Sequence, residues 1–307
     1  MVGGRAALWS KVNRNCDGLE EPYSPVTKKA TTSSRRAIDA PSVAVRVTRF
    51  TLGKKTRARP DHLAIEAPLE IRVRGESVAI TMRTPGHDRE LAAGFLLTER
   101  IIRERKALIE IAPCRASREP RNVLDVFLAA GVEVDVARLT RHVFVASSCG
   151  ICGKATIEAV HQNFPPVDSS IKVSAKTLLR LPSVMKRAQA TFATTGGLHA
   201  AAIFSAVGKL IVLREDVGRH NAVDKVIGHG FLGGPFPFDA HLLLVSGRAS
   251  FEIMQKALAA RIPIVCAVSA PSSLAVEFAR QSGQTLVGFL RGRGMNVYSC
   301  GERVVGG

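Results

Sequence analysis

The sequence predicts a small α+β unit followed by a larger α/β unit built on a mostly parallel sheet. Three observations carry this expectation. Short segments between Val43 and Met82 alternate apolar and polar residues, the period of a half-buried strand. Beyond His199, continuous apolar segments alternate with helical patterns, as in a parallel sheet covered on both faces. Between the two textures lies Ser147-Ser148-Cys149-Gly150-Ile151-Cys152-Gly153-Lys154, which fits neither.

Residues 1–42 mix Lys, Arg, Ser, Thr and Pro with few large apolar groups, so they are expected to form a disordered basic extension. Asp17, Glu20 and Glu21 argue against a transit peptide. In the small unit, residues 43–146, strands are expected at Val43 to Val47, Leu69 to Val73 and Val78 to Met82, with a turn at Gly75-Glu76. Asp88 reads as the N-cap of an amphipathic helix running to about Arg103, because Leu91, Phe95, Leu96 and Ile101 recur at helical spacing. Later strands are expected at Asn122 to Leu128 and Val143 to Ala146.

Residues 147–168 read as the cysteine loop and a linker helix, and residues 169–307 as the α/β unit. Its first strands, His199 to Phe204 and Leu210 to Leu213, pair across Val207-Gly208, and Asn221 to Ile227 reads as a helix. Strand and helix then alternate: Leu242 to Val245, Phe251 to Ala260, Ile264 to Val268, Leu274 to Arg280, Thr285 to Phe289. The cysteine loop is thus expected at a junction of domains, where ligand pockets preferentially form.

A chain of 307 residues buries a core without disulfides, and its six cysteines do not make the dense framework of a small secreted protein. A reducing compartment follows, and with it a working thiol pair rather than a staple. No apolar run approaches the roughly 20 residues that span a bilayer, and the N-terminus shows no signal-peptide core. The chain is therefore expected to be soluble and cytoplasmic, with no membrane partner. A net charge of +17 points to polyanionic partners. With one Trp and two Tyr there is no aromatic stacking platform, so specific nucleic-acid recognition is not expected.

Cys149 and Cys152 can act as nucleophiles, metal ligands or sulfur carriers only as thiolates. Lys154 and a helix expected at Ala155 to Val160, its free N–H groups facing the thiols, would both favour the charged form. Gly150 and Gly153 permit a tight bend. Zinc would need a second ligand pair, and no further C-x-x-C or H-x(3-5)-H follows. A zinc deaminase would need H-x-E before P-C-x-x-C, whereas His199-Ala200-Ala201 lacks the glutamate and follows the cysteines. A thioredoxin-like pair normally opens a helix early in a compact domain, unlike this mid-chain placement.

Ligands of open α/β sheets bind outside the carboxyl ends of the strands. Four loops expected there are polar, and three carry arginine: Arg214 to Asn221, Ser246-Gly247-Arg248-Ala249-Ser250, Ser269 to Ser273, and Arg291-Gly292-Arg293-Gly294. Small residues and guanidinium forks suit phosphate oxygens. His199 is either a core histidine or a lining residue, and His220 is the better ligand contact. Asp224 and Lys225, on the following helix, read as a surface pair of small consequence.

Six stretches together resemble the formate dehydrogenase accessory sulfurtransferase family, FdhD. They are Met82-Arg83-Thr84-Pro85-Gly86-His87-Asp88, Ser148 to Gly153, Thr195 to Ala201, Arg214 to Lys225, Ser246-Gly247-Arg248 and Gly288 to Arg293. The resemblance implies a cytidine-deaminase-like three-layer fold for the second unit. It also implies sulfur delivery: a cysteine desulfurase loads this protein, which passes sulfur to the molybdenum of Mo-bis(molybdopterin guanine dinucleotide) for formate dehydrogenase. By position Cys149 matches the family's persulfide-forming cysteine, with Cys152 as second carrier or releasing thiol. Phe289, Leu290, Arg291, Gly292, Arg293 and Gly294 match its cofactor-binding segment. A homodimer is expected from the family, and no resident metal.

Overall fold

A computed structural model describes residues 40–132 and 164–306, with backbone only for residues 54–56. Cys149, Cys152, the strand expected at 143–146 and the helix expected at 155–160 lie outside the described residues, as does all but the end of the N-terminal extension.

Ser42–Thr51 (β1) and Lys54–Ala64 (β2) form an antiparallel hairpin that is a sheet of its own. The expectation had only the first of these strands, because the basic sequence of β2 carries no apolar alternation. A four-stranded sheet follows in the order β4-β3-β6-β5, from Ala67–Val73 (β3), Glu76–Arg83 (β4), Leu108–Pro113 (β5) and Val123–Leu128 (β6). Between β3 and β4 the chain turns through Arg74 (φ 55°) and Gly75 (φ 84°), the paired positive φ of a tight hairpin.

Helix α1, Asp88–Thr98, covers the buried face of this sheet with Leu91, Ala92, Ala93, Leu96 and Leu97. It is shorter than expected. Arg100 enters the left-handed region at φ 59°, and the N–H groups of Ile101 and Ile102 both turn back to the Leu96 carbonyl. The N-cap is His87, not Asp88, and makes no side-chain cap. Asp88 instead accepts a bidentate pair from Arg83, Nε at 3.0 Å and Nη2 at 2.9 Å.

The larger sheet has six strands in the order β13-β12-β11-β10-β8-β9. They are His199–Ser205 (β8), Leu210–Asp216 (β9), His241–Val245 (β10), Ile264–Ala267 (β11), Thr285–Arg291 (β12) and Gly294–Ser299 (β13). A further short pair joins Val173–Ser174 (β7) to Val304–Val305 (β14). The expected mostly parallel sheet is corrected here. Only β10 with β11 and β11 with β12 pair in parallel; β8 with β9, β8 with β10 and β12 with β13 are antiparallel. The physical reason lies in the connections. Tight turns through Gly208 (φ 80°) and Gly292 (φ 61°) join β8 to β9 and β12 to β13, and a tight turn reverses the chain.

The other α-helices among the described residues are α2 (Ala175–Ala188), α3 (Ala190–Thr195), α4 (Arg219–Leu232), α5 (Phe251–Ala259) and α6 (Ser273–Gln281). Strand alternation divides the core. Ala201, Ile203, Leu243, Val245 and Val265 face α4, α5 and α6, while Ala202, Phe204, Leu244, Ile264 and Cys266 face Leu178, Leu181 and Met185 of α2. The first of these clusters continues through α4 and α1 into the four-stranded sheet. Pro182 inside α2 hid that helix from the sequence.

Candidate functional site at the carboxyl edge of the large sheet

Backbone hydrogen bonds zip the loops at one edge of the large sheet together. Ser246 N–H donates to the Ala200 carbonyl at 2.9 Å, Ser269 N–H to Gly247 at 3.3 Å, and Phe289 N–H to Ser269 at 3.1 Å. The Ser246 hydroxyl also accepts from Ala200 N–H at 2.9 Å. The loops expected after separate strands are thus one surface. His199 opens β8 at this edge and lies against Gly247, where a Cβ would stand 3.5 Å from its Nδ1.

The expected cofactor segment is not a loop but the β12–β13 hairpin. Phe289 (φ 52°), Leu290 and Arg291 are on β12, Gly292 and Arg293 form the turn, and Gly294 opens β13. Leu290 is fully buried in the core, so neither its side chain nor its backbone is open to a ligand. Arg291, Gly292, Arg293 and Gly294 are exposed, and the Arg291 guanidinium sits 5.5 Å from the Phe289 ring centroid.

Arg219 and His220 begin α4 and form the core of the candidate site. Among the described residues, the buried atoms Arg219 Nε and His220 Nε2 have no hydrogen-bond partner. His220 Nε2 stands 3.9 Å from Glu252, too far for a hydrogen bond. Burial lowers the His220 pKa to about 4, reinforced by the charges of Lys256 and Arg219. Burial and the Arg219 charge also lower that of His199. Both rings are therefore neutral near pH 7. A guanidinium N–H and a neutral imidazole nitrogen, desolvated and unpaired beside two helix starts, form an arrangement that a phosphate would satisfy.

The stretch Met82 to Asp88 is bolted beneath this loop. Asp216 accepts from Thr84 N–H at 3.2 Å and pairs with Lys225 at 2.7 Å; Lys225 also donates to the Thr84 carbonyl at 2.8 Å. Val217 N–H donates to the Thr84 hydroxyl at 3.2 Å, and Asn221 donates to the Met82 carbonyl at 2.8 Å. The expectation that Asp224 and Lys225 form a surface pair is corrected. Both are buried and neither pairs with the other: Asp224 meets Lys256 at 2.9 Å, and Lys256 also reaches Glu99 and Thr98. Neighbours on α4 point different ways, so adjacency in sequence misled. Sequence reasoning also missed Glu90, which takes two hydrogen bonds from Arg214 and one from His229.

The FdhD/NarQ family matches residues 64–305. This chain belongs to that family. It is 52% identical over 255 residues to "Sulfur carrier protein FdhD" of Mycobacterium tuberculosis, covering 80% of this chain and 92% of the relative. The protein of the same name from Streptomyces coelicolor is 50% identical, over 80% of this chain and 90% of its own. A crystal structure described as a candidate formate dehydrogenase accessory protein from Desulfotalea psychrophila superposes with a TM-score of 0.70 at 25% identity. That match covers 87% of this chain and all of the other. The family match takes in every loop of the candidate site, and the stretches around Thr84 and Arg219 that lock together here both lie within it.

Proposed function

We propose that this protein is a cytoplasmic sulfurtransferase that carries sulfur as a persulfide on Cys149 and delivers it to a molybdenum cofactor destined for formate dehydrogenase. The reading is supported by membership of a family whose relatives are named sulfur carriers. The single observation that carries the cofactor half is Arg219 Nε and His220 Nε2 at the carboxyl edge, buried and without a partner among the described residues.

In the loading step the Cys149 thiolate attacks the outer sulfur of a cysteine desulfurase persulfide. The donor S–S bond breaks, the new S–S bond forms on Cys149, and the desulfurase leaves as its thiolate, with no net oxidation. Cys152 serves as second carrier by attacking the outer sulfur, or it attacks the inner sulfur. In the second case the persulfide S–S bond breaks, a Cys149–Cys152 disulfide forms and the outer sulfur leaves as hydrosulfide, the two thiols being oxidised as it is reduced. The substrate, Mo-bis(molybdopterin guanine dinucleotide), carries two pyrophosphates. Arg219, Arg248, Arg291 and Arg293 supply cations for them, and the Phe289–Gly294 hairpin brings exposed backbone and an aromatic face to the same edge. The second unit would be a cytidine-deaminase-like scaffold reused without its glutamate, and the working form a homodimer.

The decisive experiment is mass spectrometry of the protein after incubation with desulfurase and cysteine. A sulfur adduct is expected on the Cys149 peptide and absent in Cys149→Ala. No adduct there, with the desulfurase active, overturns the reading.

A further inference from the structure

We propose that the β1–β2 hairpin is a docking arm for an acidic protein surface with an apolar cleft, belonging to a protein with which this chain exchanges sulfur. This rests on the sulfur-carrier reading for the identity of the partner.

The hairpin pairs with no other strand among the described residues. Two-stranded hairpins are marginal in water, and stable ones pack against something. Here α3 packs on β2, and Gly197 approaches its last residue, Ala64, within 3.7 Å of an added Cβ. Among the described residues the distal part has no comparable support. The register places Val43 opposite Leu63, Val45 opposite Asp61 and Val47 opposite Arg59 on one face, and the exposures of Val43 and Leu63 are 47% and 50%. At the tip, Phe50 is 79% exposed and Leu52 fully so.

The charge is one-sided. Arg46, Arg49, Arg57 and Arg59 are all exposed, none forms an ion pair among the described residues, and Asp61 is the lone acidic residue from Ser42 to Ala64. Arg49 stands directly opposite Arg57. Like charges so placed oppose strand pairing, and a carboxylate brought between them would turn that cost into an attraction.

Exposed aromatic and aliphatic groups interleaved with arginine have the composition of a protein interface, with a charge that requires an acidic counterpart. A second copy is the poorer occupant, since its arm repeats the same arginines on a chain of net charge +17. Nucleic acid fits less well because Phe50 is the arm's lone aromatic and the valine strip contributes nothing to phosphate contact.

The test uses the full chain with two variants, Arg49→Glu/Arg57→Glu and Phe50→Ser/Leu52→Ser, whose melting temperatures report folding. Purified desulfurase and purified formate dehydrogenase from the same organism are the probes, by calorimetry at low and moderate salt. Both variants are expected to bind one of these partners at least about tenfold more weakly than wild type, with the wild-type affinity falling as salt rises. Affinities within about twofold for both partners overturn the proposal, as does failure of the wild type to bind either. So does loss of self-association or of DNA binding in the variants, with partner binding intact. Loading with cysteine persulfide keeps the two readings apart. An adduct on Cys149 in wild type and variants, with unchanged partner binding, sinks the arm and spares the carrier; no adduct in any sinks the carrier alone.

Discussion

Lys225 meets Asp216 at 2.7 Å where neither side chain is more than 1% exposed. The carboxylate also holds Thr84 N–H, Gly218 N–H and Asn221, so one buried charge fixes both the end of β4 and the turn that presents Arg219. Removing the cation leaves that carboxylate unpaired in a site closed to water. Lys225→Met is therefore expected to destabilise the fold by about 3–5 kcal/mol, read from urea unfolding at neutral pH. Asp216→Leu/Lys225→Met should recover part of that loss, because it removes the stranded charge with its partner. A single variant as stable as wild type would mean that water reaches Asp216.

Helices α1 and α4 touch backbone to backbone at two glycines. A Cβ on Gly94 would lie within 1.9 Å of the Asp224 carbonyl oxygen, and one on Gly228 within 1.8 Å of that of Glu90. Neither neighbour is a side-chain end that could swing aside. Gly94→Ala and Gly228→Ala should each force the helices apart and cost about 3 kcal/mol or more, despite the better helix propensity of alanine. Melting temperatures measure this. A rise in either variant would show that the close crossing is not needed.

The sequence revealed strands where alternation or continuous apolar residues marked a buried face, as at Leu69 to Val73 and Leu242 to Val245. It hid β2, whose sequence is basic and lacks an apolar alternation, β13, a short strand in which apolar and polar residues mix, and α2, interrupted by Pro182. The loops of the carboxyl edge were legible because strand-to-helix alternation fixes where they gather. The roles of Asp224 and Lys225 were not. Which partner a helical side chain meets depends on long-range packing, here Thr84 and Asp216 for one and Lys256 for the other.

His220 gives the site a pH dependence. Its folded pKa of about 4 lies below the ordinary 6.5, chiefly because burial opposes its charge. Between those values the unfolded chain binds the proton more readily than the folded one. Stability from the neutral ring is thus complete above pH 6.5 and is lost as pH falls toward 4. At the acid end of that window the loss amounts to about 3 kcal/mol, and His220→Gln should lack it. The check is wild type against His220→Gln in unfolding curves across that range, with the His220 ring followed by NMR. A ring that titrates near 6.5 refutes the assignment.

Arg219 carries the cofactor half of the proposed function, so its removal should weaken binding of a guanosine diphosphate fragment. Its Nε is buried and has no partner among the described residues, which makes a phosphate oxygen gained there a charge-assisted bond of about 1.5–3 kcal/mol. Arg219→Gln should therefore raise the dissociation constant for guanosine diphosphate by about tenfold or more, by titration calorimetry. Lys209 makes the control. It precedes β9 in the turn after Ser205, at the opposite end of the sheet from His199 and Arg219, as the pairing of Ser205 with His241 and of Ala201 with Val245 requires. Lys209→Gln removes the same unit of charge and should leave the affinity unchanged, so equal losses in the two variants would mean that net charge, not the built site, attracts the nucleotide.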